Sequence, residues 1–276
     1  MNNIELEEKL ANYSGEDKVI SSTELAEILK NKPEVVSWKC NMPMLDELHQ
    51  GFEAGEVIIL SGPSKNGKST FARTLTAKFA IQDIRVCWFT FEETERQFFA
   101  KFPELPLFFL PQVRISRDLE WIEEKIVEAK LKYETRIIFI DNFDFIESRM
   151  QIQYKEKREF AGYIVSELKR IAITHNLVIF LLMHLKADKQ YFRNNEIRAS
   201  DIRGESGKPI QMADTSLIIW RNKFMDENAA DNSATLKICM TRRSGVAEKI
   251  IPLLLWNGEF QEVNNDTVQE TITDGK

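Results

Sequence analysis

Glu56-Val57-Ile58-Ile59-Leu60-Ser61-Gly62-Pro63-Ser64-Lys65-Asn66-Gly67-Lys68-Ser69-Thr70 is the stretch that decides the fold. The apolar run Val57 to Leu60 predicts a buried strand, Gly62 to Ser69 fits G-x-x-x-x-G-K-[ST], and a helix is expected from Lys68. The order strand, glycine loop, helix gives the motif its physics. Glycines let backbone N–H groups turn inward, the helix N-terminus adds its dipole, and a phosphate group fills the resulting concavity. The candidate nucleotide-binding residues are Gly62, Pro63, Ser64, Lys65, Asn66, Gly67, Lys68, Ser69 and Thr70. Lys68 is expected to reach the β and γ oxygens of ATP, and Ser69 to ligate Mg²⁺.

Working outward, apolar runs alternate with helical segments. Val86 to Phe91 follows the first helix; helices are expected from Thr94 and from Asp118, then the run Ile137 to Ile140. A helix through Phe160, Ile164, Leu168 and Ile171 precedes the run Leu177 to Met183. Unalternated apolar strands separated by helices indicate a mostly parallel central sheet covered on both faces, an α/β fold. Strands near Ser216 to Trp220, Leu236 to Thr241 and Ile250 to Leu255 are joined by short polar links, which predicts an antiparallel extension at one edge. Residues 1–40 read as a helical extension and linker, with a helix capped at Ser22/Thr23 and ending at Pro33. Residues 41–260 form the main domain, and 261–276 an acidic, disordered tail.

Charge and composition exclude several classes. The net charge of −6 is concentrated at the ends: residues 1–30 and the stretch from Glu259 each carry about −4, leaving the middle near +2. A local basic surface is therefore compatible with the acidic total. Cys40, Cys87 and Cys239 lie far apart inside or beside apolar runs and read as buried thiols of a reducing compartment. No run approaches the ~18 apolar residues of a membrane span, and the N-terminus is acidic, unlike a signal peptide. No membrane partner and a cytoplasmic location, in a bacterial or phage-infected cell, are expected.

Three further positions carry chemistry. Asp141 ends the run Ile137 to Ile140, where a carboxylate can hold the hydration shell of Mg²⁺. Glu92 follows the run Val86 to Phe91 and is a candidate base for activating water, with its neighbour Glu93 as rival. His184 ends another apolar run, and ligands bind at the carboxyl ends of strands in open α/β sheets. Beyond it the chain turns hydrophilic: Lys186, Lys189, Arg193, Arg198, Arg203 and Lys208 are interleaved with Tyr191 and Phe192. Cations among aromatics suit the phosphates and bases of single-stranded nucleic acid; a solvated surface loop is the alternative. A smaller candidate at Arg149, Lys155, Lys157 and Arg158 is almost cancelled by Glu147, Glu156 and Glu159.

Five ordered segments resemble the hexameric superfamily 4 replicative DNA helicases, the DnaB-like proteins and the phage helicase domains related to Twinkle. Leu45-Asp46-Glu47-Leu48 with Gly51 to Glu56 looks like the family's approach to the P-loop strand, and Trp88-Phe89-Thr90-Phe91-Glu92 like the motif whose glutamate activates water. Met183-His184-Leu185-Lys186 resembles the phosphate-sensing strand end. Ser200 to Gly207, with Gln211, Ala213 and Asp214, is similar to the DNA-facing segment, and Thr241-Arg242-Arg243-Ser244-Gly245 to the strand whose arginine reaches a neighbouring subunit's γ-phosphate.

The resemblance implies a RecA-like ATPase core with Lys68, Glu92, Asp141, His184 and Arg243 in catalytic roles, Ser69 and Asp141 on Mg²⁺, and Gly207 among the DNA-binding residues. It further implies DNA-stimulated ATP hydrolysis, single-stranded DNA as partner, and a homo-oligomer, a hexamer in this family. Adjacent side chains on a strand point to opposite faces, so only one of Arg242 and Arg243 is expected to serve an interface, and the family spacing selects Arg243. Thr241 stands where the family has a lysine. No primase or helical domain is seen ahead of the motor, so a separate primase or loader is expected as partner. The other reading of the same motifs is a RecA- or KaiC-like ATP-switched DNA-binding or scaffolding protein that does not unwind processively.

Overall fold

The computed structural model describes residues 3–15, 17–32, 34–116, 118–150, 160–185, 197–202 and 208–263; for Asn3, 147–150 and Lys208 it describes the backbone. The chain divides into two compact units, Met1–Val35 and Val36–Lys276. The smaller contains helices α1 (Asn3–Ala11) and α2 (Ser22–Lys30). Ser21, one residue before the expected cap, is the N-cap of α2. Its hydroxyl accepts from Glu24 N at 3.1 Å, and Glu24 Oε2 accepts from Ser21 N at 2.9 Å. The reciprocal glutamate three residues on is what moves the cap back to Ser21.

The larger unit opens with β1 (Ser37–Trp38), which pairs antiparallel with β2 (Phe52–Glu53); helix α3 (Pro43–His49) lies between them in sequence. Among the described residues its main sheet has eight strands. Five are mutually parallel: β3 (Val57–Gly62), β4 (Val86–Thr90), β5 (Ile137–Asp141), β6 (Val178–His184) and β7 (Thr215–Arg221). Beside β7 stand three antiparallel strands, β8 (Ser233–Thr241), β9 (Ala247–Trp256) and β10 (Glu259–Glu262). The sheet order is β10-β9-β8-β7-β3-β6-β5-β4, which puts the P-loop strand centrally.

Alternation along each parallel strand feeds both faces at once. Ile58 and Leu60 pack with Phe71, Leu75 and Phe79 of α4 (Lys68–Ile81). Val57 and Ile59 share the other core with α6 (Leu119–Tyr133) and α8 (Phe160–His175), through Ile122, Ile126, Ile164, Leu168 and Ile171. Two-sided burial is why these strands read as continuous apolar runs. Shorter helices α5 (Glu95–Phe99) and α7 (Phe143–Met150) follow β4 and β5. The three cysteines are buried and free, and among the described residues no helix is long and apolar enough to cross a membrane.

One boundary differs from expectation. Disorder was expected after Phe260, yet Gln261 and Glu262 lie in β10, returned to β9 by the two-residue turn Asn257-Gly258 with φ of 48° and 81°. Asn-Gly with both residues left-handed is the preferred hairpin turn, so the strand outlasts the onset of acidic composition. The rest of the tail from residue 264, Lys155, and the loop positions Lys186, Lys189, Arg193, Arg203 and Gly207 lie outside the described residues, as do the side chains of Arg149 and Lys208.

Candidate active site

All the parallel strands end at one rim. Gly62 is level with His184 across β3 and β6, and Thr90 with Asp141 across β4 and β5. The carboxyl ends of an open parallel sheet form a crevice, and four of the predicted catalytic side chains meet there. Arg243 does not.

The P-loop is held to its path by two glycines. A Cβ on Gly62 would collide with the Ile219 carbonyl of β7; Gly67 has φ +101°, and a Cβ there would lie 2.8 Å from the Phe260 ring. Gly67 is also the N-cap of α4, so the loop runs directly into that helix's first turn of unpaired N–H groups. Lys68 is buried, and its ammonium donates to the carbonyls of Gly62 at 2.9 Å and Pro63 at 3.0 Å and to His184 Nδ1 at 3.1 Å. Burial draws its pKa down to about 8, opposed by the charges of Asp141, Glu92 and Asp144.

Ser69 Oγ donates to Asp141 Oδ2 at 2.7 Å. Burial raises the Asp141 pKa to about 6, with the Ser69 hydrogen bond pulling the other way and Glu92 adding to the rise. A hydroxyl and a desolvated carboxylate in contact are hard oxygen donors, the chemistry Mg²⁺ selects. A divalent cation there would also relieve the cost of a buried carboxylate.

The two glutamates separate. Glu92 Oε2 accepts from Asn142 Nδ2 at 3.0 Å, and that nitrogen lies 3.2 Å from His184 Nε2. Glu93 instead pairs with Lys101 of the segment after α5. Sequence reading missed Asn142. Its only local signal is a polar residue directly after a strand-end aspartate, at a position that proves 3% exposed.

Arg243 sits at the opposite end of the sheet. Thr241, the last residue of β8, is level with Thr215, the first of β7, and Ile58 of β3 is level with Thr215. The strand ends at Thr241, where the run Leu236 to Thr241 predicts; both arginines, which the resemblance puts on that strand, lie in the turn that follows, so strand alternation does not distinguish them. Their partners do. Arg242 donates to the Gln211 carbonyl. Arg243 meets Glu56 Oε1 at 3.1 Å, Glu53 Oε1 at 3.2 Å and the His49 carbonyl at 3.0 Å, and also bonds the Gly51 carbonyl.

In the segment expected to face DNA, Ala213 is buried and Asp214 serves the fold. Asp214 accepts from Val57 N at 2.8 Å, fixing the start of β3, and from Lys169 Nζ at 2.7 Å. Arg198 is exposed, and its N–H bonds Asp201. The bridge Leu185↔Ile202 draws the two sides of the hydrophilic loop together.

A solved ATPase domain superposes with a TM-score of 0.72 at 16% identity, covering 88% of this chain and 96% of its own. A structure described as a DnaB-like replicative helicase and its interactions with primase gives a TM-score of 0.72 at 18% identity, covering 95% of this chain and 71% of that one. At such identities these matches establish the fold alone, a RecA-like α/β core. The family model for the DnaB-like helicase C-terminal domain matches residues 103–265, a stretch holding Asp141, Asn142, His184 and Arg243. Over half of the chain is matched, and the protein belongs to the DnaB-like helicase C-terminal domain family.

Proposed function

We propose that this chain is an ATP-hydrolysing DNA helicase motor that moves along single-stranded DNA as a ring of identical subunits, six in the family's arrangement. The observation that carries the reading is the meeting of Lys68, Ser69, Asp141, Glu92 and His184 in one crevice at the carboxyl rim. Each has a part in phosphoryl transfer to water. P-loop N–H groups and Lys68 bind the β- and γ-phosphates, Ser69 and Asp141 hold Mg²⁺, Glu92 takes a proton from the attacking water, and His184 contacts the γ-phosphate. The metal supplies charge neutralisation at the phosphates when bound. A neighbouring subunit's Arg243 completes the site, and Lys186, Lys189, Arg193, Arg198, Arg203, Gly207 and Lys208 contact the DNA backbone. A separate primase or loader acts with the motor.

The test is ATPase activity with and without single-stranded DNA, in the full chain and in a variant with Lys186, Lys189 and Arg193 neutralised together. Wild type should be stimulated by DNA. The variant should bind DNA more weakly at every sequence, with the slope of log affinity against log salt flattened by roughly 0.7 per lost phosphate contact. Turnover indifferent to DNA, with unchanged affinity in the variant, would sink the motor reading in favour of an ATP-switched scaffold.

A further inference from the structure

Asn142 has no part in the chemistry above, yet its side chain touches two residues that do. Its Oδ1 accepts from Asp144 N at 3.0 Å, as the N-cap of α7 does. That bond fixes the amide's orientation: oxygen toward the helix, NH₂ toward the crevice. There Nδ2 donates to Glu92 Oε2 and faces His184 Nε2, while His184 Nδ1 faces the Lys68 ammonium.

A neutral imidazole has one donor nitrogen and one acceptor. Lys68 at Nδ1 and Asn142 at Nε2 are both donors, so of these two contacts only one can be a hydrogen bond at a time. The charge-assisted bond from Lys68 is the stronger and takes Nδ1 as acceptor, which puts the ring proton on Nε2 against the amide N–H. When Lys68 turns to phosphate oxygens, its bond to Nδ1 is given up. The ring then gives up the Nε2 proton to solvent and takes one at Nδ1, on the P-loop side. Nε2 becomes an acceptor, and the two N–H groups of Asn142 serve His184 and Glu92 together.

We propose that Asn142 is a positioning residue of the ATPase site, whose amide couples the occupancy of the P-loop, reported by Lys68 and His184, to the orientation of Glu92. The proposal rests on the ATPase reading of the crevice and adds a control that reading does not contain. It holds the amide, and through it the Glu92 carboxylate, more firmly once both N–H groups of Asn142 have acceptors.

The discriminating variant is Asn142→Asp. It keeps the volume and the N-cap acceptor but lacks both N–H donors; Asn142→Ser, a neutral cap without the reach, is its companion. In the full chain, both should melt as wild type does and bind a non-hydrolysable ATP analogue with Mg²⁺ within about threefold, while turnover falls roughly tenfold to a hundredfold. The loss should vanish on a Glu92→Gln background, since coupled residues are not additive. Ring ¹⁵N shifts should show the His184 proton moving from Nε2 to Nδ1 on analogue binding in wild type, with the response absent or reduced in both variants. Unimpaired turnover in both variants beside a disabled Glu92→Gln overturns the proposal alone. So does loss of folding or of analogue binding in both, which would make Asn142 structural. Wild-type protein that neither binds the analogue nor hydrolyses ATP overturns the ATPase reading and the proposal together.

Discussion

Lys68 is a buried cation resting on two carbonyls of its own loop and on a histidine, partners it must give up to meet phosphate. Lys68→Ala should therefore abolish productive nucleotide binding, as measured by titration with a fluorescent ATP analogue. Lys65, exposed at a φ of 60°, is the control. Near-normal turnover in Lys68→Ala with loss in Lys65→Ala would reverse the assignment. Glu92→Gln should bind nucleotide normally and turn over about 10²- to 10⁴-fold more slowly, because an amide cannot accept the water's proton. Retained turnover would move the role elsewhere. These positions differed in how plainly the sequence declared them. Asp141 and His184 end apolar runs whose length fixes the strand end, so their place at the rim was readable. The choice between Glu92 and Glu93 depends on contacts to Asn142 and Lys101, which no local pattern encodes.

At the level of elements, Glu262 illustrates what a linear reading cannot supply. Its carboxylate accepts from the backbone N–H groups of Met44 and Leu45 at 2.8 Å each, capping the first turn of α3 from the far end of the chain. Helix α3 has no side-chain cap of its own, since Met42 stands at its N-cap. Glu262→Ala should thus destabilise the larger unit by about 1–2 kcal/mol, the scale of a lost helix cap. A denaturation midpoint indistinguishable from wild type would show that the cap is dispensable. From composition alone Glu262 belongs to an acidic tail, because its partners are more than two hundred residues away in sequence. The parallel strands were legible for the opposite reason: two-sided burial writes itself as an unbroken apolar run such as Ile137 to Ile140. The Asn257-Gly258 turn was the available local sign that the chain returns as β10.

On the scale of the whole molecule, the P-loop and Arg243 occupy opposite ends of the central sheet, and a rigid sheet cannot bring its own two ends together. If Arg243 acts on a phosphate, it acts on another chain's. A head-to-tail contact, the amino rim of one copy against the carboxyl rim of the next, is heterologous, and such contacts close into rings when the rotation permits. Within one chain Arg243 is tied to Glu53, Glu56 and the carbonyls ending α3, so assembly must exchange these partners for the neighbour's phosphate. That exchange predicts the outcome of mixing two inactive proteins. Lys68→Ala lacks a working pocket and keeps its arginine; Arg243→Ala keeps the pocket and lacks the arginine, a loss of about 10³ to 10⁵ in turnover where such fingers act. Co-assembled, some interfaces join an intact pocket to an intact Arg243, and part of the activity should return. Mixtures of each variant with wild type control for simple dilution, and native mass spectrometry establishes that the two chains share assemblies. If mixed assemblies form and stay inactive, or if Arg243→Ala alone turns over ATP at the wild-type rate, Arg243 belongs to the ion pairs with Glu53 and Glu56 and the hydrogen bond to the His49 carbonyl that tie the turn after β8 to β2, the start of β3 and the end of α3, and the neighbour's cation must be sought elsewhere.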